Sequence, residues 1–251
     1  MKKWMAALAL FLAIVPGLAQ RRDSVYTASE QFRWYKLTAP AVLVAAGTAG
    51  TLSTWYRENV NMPVRDWALA QGHDKNSFNP EDALQYTPYV GYLGAALFGC
   101  GEHGAWEKLM ASGTAILFTL VVNGGIKYLA GVERPNGANS QSFPSGHTAT
   151  AFLGAELVRL EYGPWWGLAA YSFALYTGIM RVYHNRHWTT DVLAGAGLGI
   201  LGANIGYWLL PYERKLFGVD AKKSKLNIEA VPYACQTPVG SCYGASLSLR
   251  F

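Results

Sequence analysis

Three short stretches of this chain hold residue types whose spacing suits chemistry on a phosphoryl group: Lys127-x6-Arg134-Pro135, Pro144-Ser145-Gly146-His147 and Arg181-x5-His187-x3-Asp191. Together they supply three cations, two imidazoles, a hydroxyl beside a glycine, and a carboxylate able to orient a histidine. Arginine's planar fork suits two phosphate oxygens, whereas lysine adds a compact charge. Ser145 and Gly146 precede a run from His147 to Leu160 that predicts a helix. Unpaired N–H groups and the dipole at such a helix start favour an anion. His187 and Asp191 stand four apart, which predicts a pair on one face at the start of the last helix. A carboxylate bonded to one ring nitrogen fixes the tautomer and leaves the other nitrogen free to attack. Transfer of a phosphoryl group through a histidine uses the whole set.

Each stretch alone has a plain structural explanation. A Pro-Ser-Gly triplet opens many helices, cations beside an apolar helix often snorkel, and a His-Asp pair near Thr189 and Thr190 can simply cap. The stretch from Arg181 to His187 also holds two histidines and two arginines, so His184 and Arg186 rival their neighbours. The combination is the discriminating feature. Its ten fixed identities in three ordered blocks arise by chance on the order of once in a million such chains.

The elements that must position these residues are apolar. Of 251 residues, 51% are hydrophobic and only 15% charged, against roughly 25% in soluble domains. Many of the 27 glycines lie inside the apolar runs, as in closely packed membrane helices. Those runs fall at about 37–55, 86–101, 112–130, 148–160, 164–182 and 191–210. Their lengths and lack of alternation predict helices rather than strands. The fold class expected is all-α: a membrane-embedded bundle of about five or six helices with a short β-like C-terminal tail. The three motifs then meet at one end of the bundle. A polar stretch, 56–85, carries Arg57, Arg65, Asp66, Glu81 and Asp82, and Pro63 suits the first turn of a short surface helix. The net charge of +5 fits a basic membrane face, and no basic stripe with interleaved aromatics supports nucleic-acid binding.

Both ends of the chain differ from the middle. Lys2 and Lys3, an apolar core and Gly17-Leu18-Ala19 resemble an export leader over 1–19, with an uncleaved anchor as the rival. A helical domain is expected over 20–212 and a basic segment with a peripheral tail over 213–251. Strand-like alternation in that tail predicts a hairpin across Pro238-Val239-Gly240, and Cys235 and Cys242 are either a small disulfide or free thiols. Cys100 is expected to pack in an apolar setting. If every apolar segment crosses the bilayer after an exported start, the motifs face the cytoplasm. If 37–55 does not cross, they face the periplasm, and the basic residues around Arg214 lie inside, as the positive-inside rule prefers. The second arrangement is the one expected.

The three motifs resemble those of the type 2 phosphatidic acid phosphatase superfamily, which includes bacterial acid phosphatases and vanadium-dependent haloperoxidases. The resemblance covers Lys127 to Asp191 and implies a helical, metal-independent phosphatase with no cofactor, working through a phosphohistidine. It implies His187 as nucleophile, Asp191 as its orienting partner, and His147 as the acid that protonates the leaving oxygen. Lys127, Arg134, Ser145, Gly146 and Arg181 are implied to bind the phosphoryl group. One departure is visible: the family often has Ser where Met180 stands before Arg181. Combined with an apolar bundle, the expectation is a membrane enzyme acting on lipid phosphates such as lipid A, polyprenyl diphosphate or phosphatidylglycerol phosphate. The alternatives are a secreted acid phosphatase on small phosphomonoesters, a haloperoxidase, or a non-catalytic membrane protein that binds lipid phosphates.

Overall fold

The computed structural model describes residues 27–71, 79–219 and the backbone of 227–237 and 240–250, so the expected leader at 1–19 lies outside the described residues. The body is all-α. Helix α1 (Thr38–Leu52) follows a 3-10 turn, Trp34–Leu37. A π-type turn at Arg57–Asn61 leads into α2 (Met62–Ala70), with Pro63 in its first turn. A single helical turn, Glu81–Leu84, precedes α3 (Thr87–Leu97). The long elements are α4 (Ala105–Ala130), α5 (Gly146–Tyr162), α6 (Pro164–Tyr183) and α7 (Thr189–Phe217). The tail forms an antiparallel hairpin, β1 (Asn227–Thr237) with β2 (Gly240–Arg250), whose backbone register sets Cys235 opposite Cys242.

Helix α7 is the axis of the bundle, with α1, α4 and α5 packed on it and α6 and α3 packed on α5. Small residues set these distances. A Cβ on Gly47 of α1 would stand 2.7 Å from the Thr190 carbonyl, and one on Gly195 of α7 would stand 2.5 Å from the Ser145 carbonyl. Glycine therefore lets three backbones converge where α1 ends and α5 and α7 begin. Outward-facing side chains are apolar, with Leu117, Leu120 and Val121 of α4 and Leu168, Leu175 and Ile179 of α6 all exposed. Exposed aromatics mark both ends: Trp55, Trp67 and Tyr128 at one, Trp106, Trp165 and Tyr212 at the other, as in membrane proteins. Among the described residues α4 and α7 are long and apolar enough to cross a membrane. The stretch 34–70, bent by 85°, qualifies only as a broken pair.

Two expectations change. Helix α4 begins at Ala105, seven residues before the apolar run, because its first-turn Glu107 and Lys108 are buried in an ionic cluster instead of facing water. Helix α7 continues through Pro211 to Phe217, past the expected boundary at 212. Its last turns are held by Arg214, which pairs with Glu30 and Glu107, each at 2.6 Å. The 37–55 segment packs against the bundle. Glu30 sits against Arg214 at one end of α7, while Gly50 sits against Thr190 at the other, so residues 30–52 run the length of the bundle. Helix α1 itself covers only about 22 Å of that path, against an apolar thickness of about 30 Å.

The end opposite the three motifs is closed by charge. His103 bridges Glu30 and Glu161 at 2.7 Å each, and Lys108 lies 3.3 Å from Glu161, to which Tyr207 also donates at 2.7 Å. Burial alone would lower the His103 pKa, but Glu161 and Glu30 push it up to about 10. Glu30, Glu107 and Glu161 are thus balanced by Lys108, Arg214 and a protonated His103. Cys100 is buried nearby as a free thiol, as expected.

Candidate active site

The motif residues converge where α4 and α6 end and α5 and α7 begin. Helix α4 is stopped by Gly131, whose left-handed φ of 57° lets its N–H reach the Lys127 carbonyl. That stop leaves Lys127 in the last turn and puts Arg134 in the following loop. Lys127 Nζ holds the far side of this loop, donating to the Gln141 carbonyl at 2.8 Å. Arg134 is half-buried with no hydrogen-bond partner for its Nε; burial first, then the charge of Arg186, lowers its pKa. A like-charged, unpaired guanidinium in such a place is suited to an anion.

Ser145 caps α5, its Oγ accepting from the Thr148 N–H at 3.4 Å and from the Thr148 hydroxyl at 2.9 Å. Its own hydroxyl proton is left to donate. A Cβ at Gly146 would meet no protein atom within 4 Å, so the first turn of α5 is open to a ligand. The Ser145 N–H donates to the Asp191 carbonyl at 3.0 Å, which ties the start of α5 to the start of α7.

The third motif folds differently from the expected helical pair. Helix α6 ends at Tyr183, and Asn185 takes a left-handed φ of 53°. The chain then turns so that the N–H groups of Arg186 and His187 both donate to the Arg181 carbonyl, at 3.0 and 3.2 Å. This turn brings His187 back beside Arg181. His187 lies two residues before α7, not on it, so helical i,i+4 geometry does not make the pair. Asp191 instead reaches back from the first turn. Its Oδ2 accepts from the Trp188 N–H at 2.8 Å and the Ser142 hydroxyl at 2.5 Å, and stands 3.4 Å from His187 Nδ1. The carboxylate caps the helix and faces the imidazole at once, so capping and orienting the ring are compatible in this geometry. Contacts of this length at unliganded sites often tighten on binding. Burial lowers the His187 pKa to about 4, against the pull of Asp191, so the ring is neutral at pH 7.

Residues 108–215 match the family model of the PAP2 superfamily. Over this segment the chain is similar to the PAP2 superfamily. All three motifs lie inside it. A curated relative, the Lipid A 1-phosphatase of Porphyromonas gingivalis, is 44% identical over 136 residues, an alignment spanning 51% of this chain and 30% of that protein. The chain therefore spans less than a third of that relative's length. The crystal structure of Aquifex aeolicus LpxE aligns with a TM-score of 0.47 at 22% identity, covering 59% of this chain and 94% of that one.

Two acidic residues outside the PAP2 segment enter the site, and sequence reasoning passed over both. Asp82 Oδ1 accepts from Arg181 NH1 at 2.9 Å and stands 3.0 Å from His147 Nε2. Burial, then Arg181, lowers the His147 pKa to about 4, with Asp82 pulling the other way. Glu81 is fully buried and lies 2.7 Å from His184 Nδ1 and 3.8 Å from Arg181. His184, the sequence rival of His187, is therefore committed to Glu81, while His187 is the histidine that faces Asp191. Ser142, two residues before Pro144, also escaped notice although it makes the shortest bond to Asp191. Its only sequence signal was its position beside the second PAP2 motif. Met180 gives its carbonyl to the His184 N–H at 2.9 Å, and Arg181 Nε is buried without a partner.

Proposed function

We propose that this protein is a membrane lipid phosphatase that works through a phosphohistidine. The observation that carries the reading is a buried, neutral His187 with Nδ1 toward Asp191, set beside Arg181 and the open first turn of α5. With Nδ1 so held, Nε2 attacks phosphorus while the bond from phosphorus to the lipid oxygen breaks. His147 gives its proton to that leaving oxygen. It then takes a proton from water, whose oxygen attacks phosphorus, and the N–P bond breaks to restore His187 and release inorganic phosphate. An incoming phosphoryl anion would neutralise Arg181 and so raise the proton affinity of His147, giving the acid its proton when it is needed.

Lys127, Arg134, Arg181, Ser145 and the backbone at Gly146 would stabilise charge on the phosphoryl oxygens, the task that metal ions perform in many phosphoryl-transfer enzymes. Among the described residues no group of three His, Cys, Asp or Glu is placed to hold a metal ion. The site lies at the end of an apolar bundle, where a headgroup can enter while its chains stay in the bilayer. Lipid A phosphate leads the candidate substrates because the 44% identical relative carries that name; polyprenyl diphosphate and phosphatidylglycerol phosphate follow. We take the catalytic domain to run on from the expected boundary at 212 to the end of α7 at Phe217, with the hairpin tail peripheral to it, and the site as periplasmic.

The test is phosphate release from a panel of lipid phosphates in detergent, with and without EDTA. Wild type should release phosphate from at least one lipid and keep its rate in EDTA. His187→Ala should lose at least about a thousandfold in kcat, as expected for removal of a nucleophile. Activity surviving in that variant would overturn the assignment.

A further inference from the structure

Beside the phosphoryl site lies a cavity of about 460 Å³ that extends beyond the three motifs to Arg57 and Arg65. Its walls include Arg57, Arg65, Arg134, Glu133, Asn61 and Trp188. Three arginines against one glutamate leave the wall cationic. Among the described residues Arg57 makes no ion pair, and Arg134 Nε is buried without a partner. Arg65 is steadied by Asp66, its Nε and NH2 donating to one carboxylate oxygen at 3.0 and 2.8 Å.

The position of the cavity is set by docked backbone. Asn61, buried at the end of the π-type turn, accepts from the Thr189 hydroxyl at 2.6 Å, and Tyr56 OH lies 3.3 Å from the same hydroxyl. These contacts seat the Arg57–Asn61 turn on the first residue of α7, two positions from His187. A smaller hollow shares Asn61, Arg65, Pro135 and Trp188 with the cavity and reaches His187 itself. Arg134 belongs to the phosphoryl motif and to the cavity wall at once. The volume is that of a small-molecule site, far more than a lone phosphate needs, so it suits a polar headgroup of roughly sugar size.

We propose that this cavity is a second anion subsite, taking a further phosphate carried by the headgroup beyond the scissile one, with Arg57 and Arg65 as specificity-determining residues. The proposal rests on the lipid phosphatase reading above. It predicts a preference for headgroups bearing two phosphates over the same headgroup bearing one.

Two lipids sharing one headgroup, one bisphosphoryl and one monophosphoryl, are compared on wild type, Arg57→Gln and Arg65→Gln. Wild type should show the lower KM for the bisphosphoryl lipid, and each variant should shrink the ratio of the two KM values by about tenfold, as for loss of a charge-assisted bond. Arg57→Lys should recover part of the preference. Equal KM changes on both lipids, or none on either, would overturn the subsite. Binding of glucose 1,6-bisphosphate against glucose 1-phosphate, followed by calorimetry in detergent, reads the same preference without turnover. Equal affinities in wild type would sink the subsite even if lipids are hydrolysed. Release of phosphate from neither lipid would instead sink the phosphatase reading, with calorimetry still deciding the subsite.

Discussion

Asp82 shows how the resting site satisfies itself. Its carboxylate touches both Arg181 and His147, the groups that a phosphoryl oxygen would use. An entering phosphate must displace it, since two anions cannot share Arg181 at that range without strong repulsion. Asp82→Asn should therefore bind inorganic phosphate more tightly, with a competitive inhibition constant about tenfold lower. An unchanged or higher constant would show that Asp82 does not compete. At His187 the pKa of about 4 has a direct consequence for pH. In the proposed mechanism protonation removes the attacking lone pair, so kcat/KM should fall as pH drops through about 4, and an imidazole NMR titration in detergent should show His187 changing charge there. Titration near its ordinary value of 6.5 would contradict the burial that holds the ring neutral. The candidate site groups were legible in the motifs, because Lys127, Arg134, Arg181 and His187 differ chemically from the apolar runs around them. Asp82 and Glu81 were not, because nothing local distinguishes them from other acids in a polar loop.

At the scale of elements, the boundaries follow the charges. Helix α4 starts early and α7 ends late because Glu107, Lys108 and Arg214 find partners in the buried cluster at the far end. His103 joins these elements to the 27–33 segment and the end of α5. Its folded pKa of about 10 lies above its ordinary 6.5, so its stabilisation is complete below about pH 6.5 and is lost as pH rises through about 10. Wild type should melt at a lower temperature at pH 10 than at pH 6. His103→Gln should lose roughly 3–5 kcal/mol at pH 6, as for breaking a buried ionic contact, and much less at pH 10. A loss that is the same at both pH values would show that His103 contributes packing rather than charge. The apolar runs located six helices, α1 and α3 to α7, yet they could not place these ends, since a charged residue marks a helix limit only when it faces water.

For the whole molecule, the path of residues 30–52 along the bundle governs orientation. A cleaved leader would start the chain outside and turn the site toward the cytoplasm. The basic residues Arg214 and Lys215 at the far end favour the opposite arrangement, with that end cytoplasmic and the site periplasmic. It places residue 27 at the cytoplasmic end of the bundle. A membrane-impermeant thiol reagent applied to intact cells, on a background lacking native cysteines, separates the two. Asn136→Cys in the site-end loop should label and Leu216→Cys should not; the reverse pattern would place the site inside. The sequence by itself carried the candidate phosphoryl motifs and the helical, apolar body, because both are written in residue type and spacing along a continuous stretch. Only the tertiary structure decided that Asp191 meets His187 from a helix cap, that Asp82 contacts Arg181 and His147, and that Arg57 and Arg65 border a cavity next to His187. Each of those depends on segments brought together by the close approach of α1, α5 and α7, and contacts between distant segments leave no periodic signal in the chain.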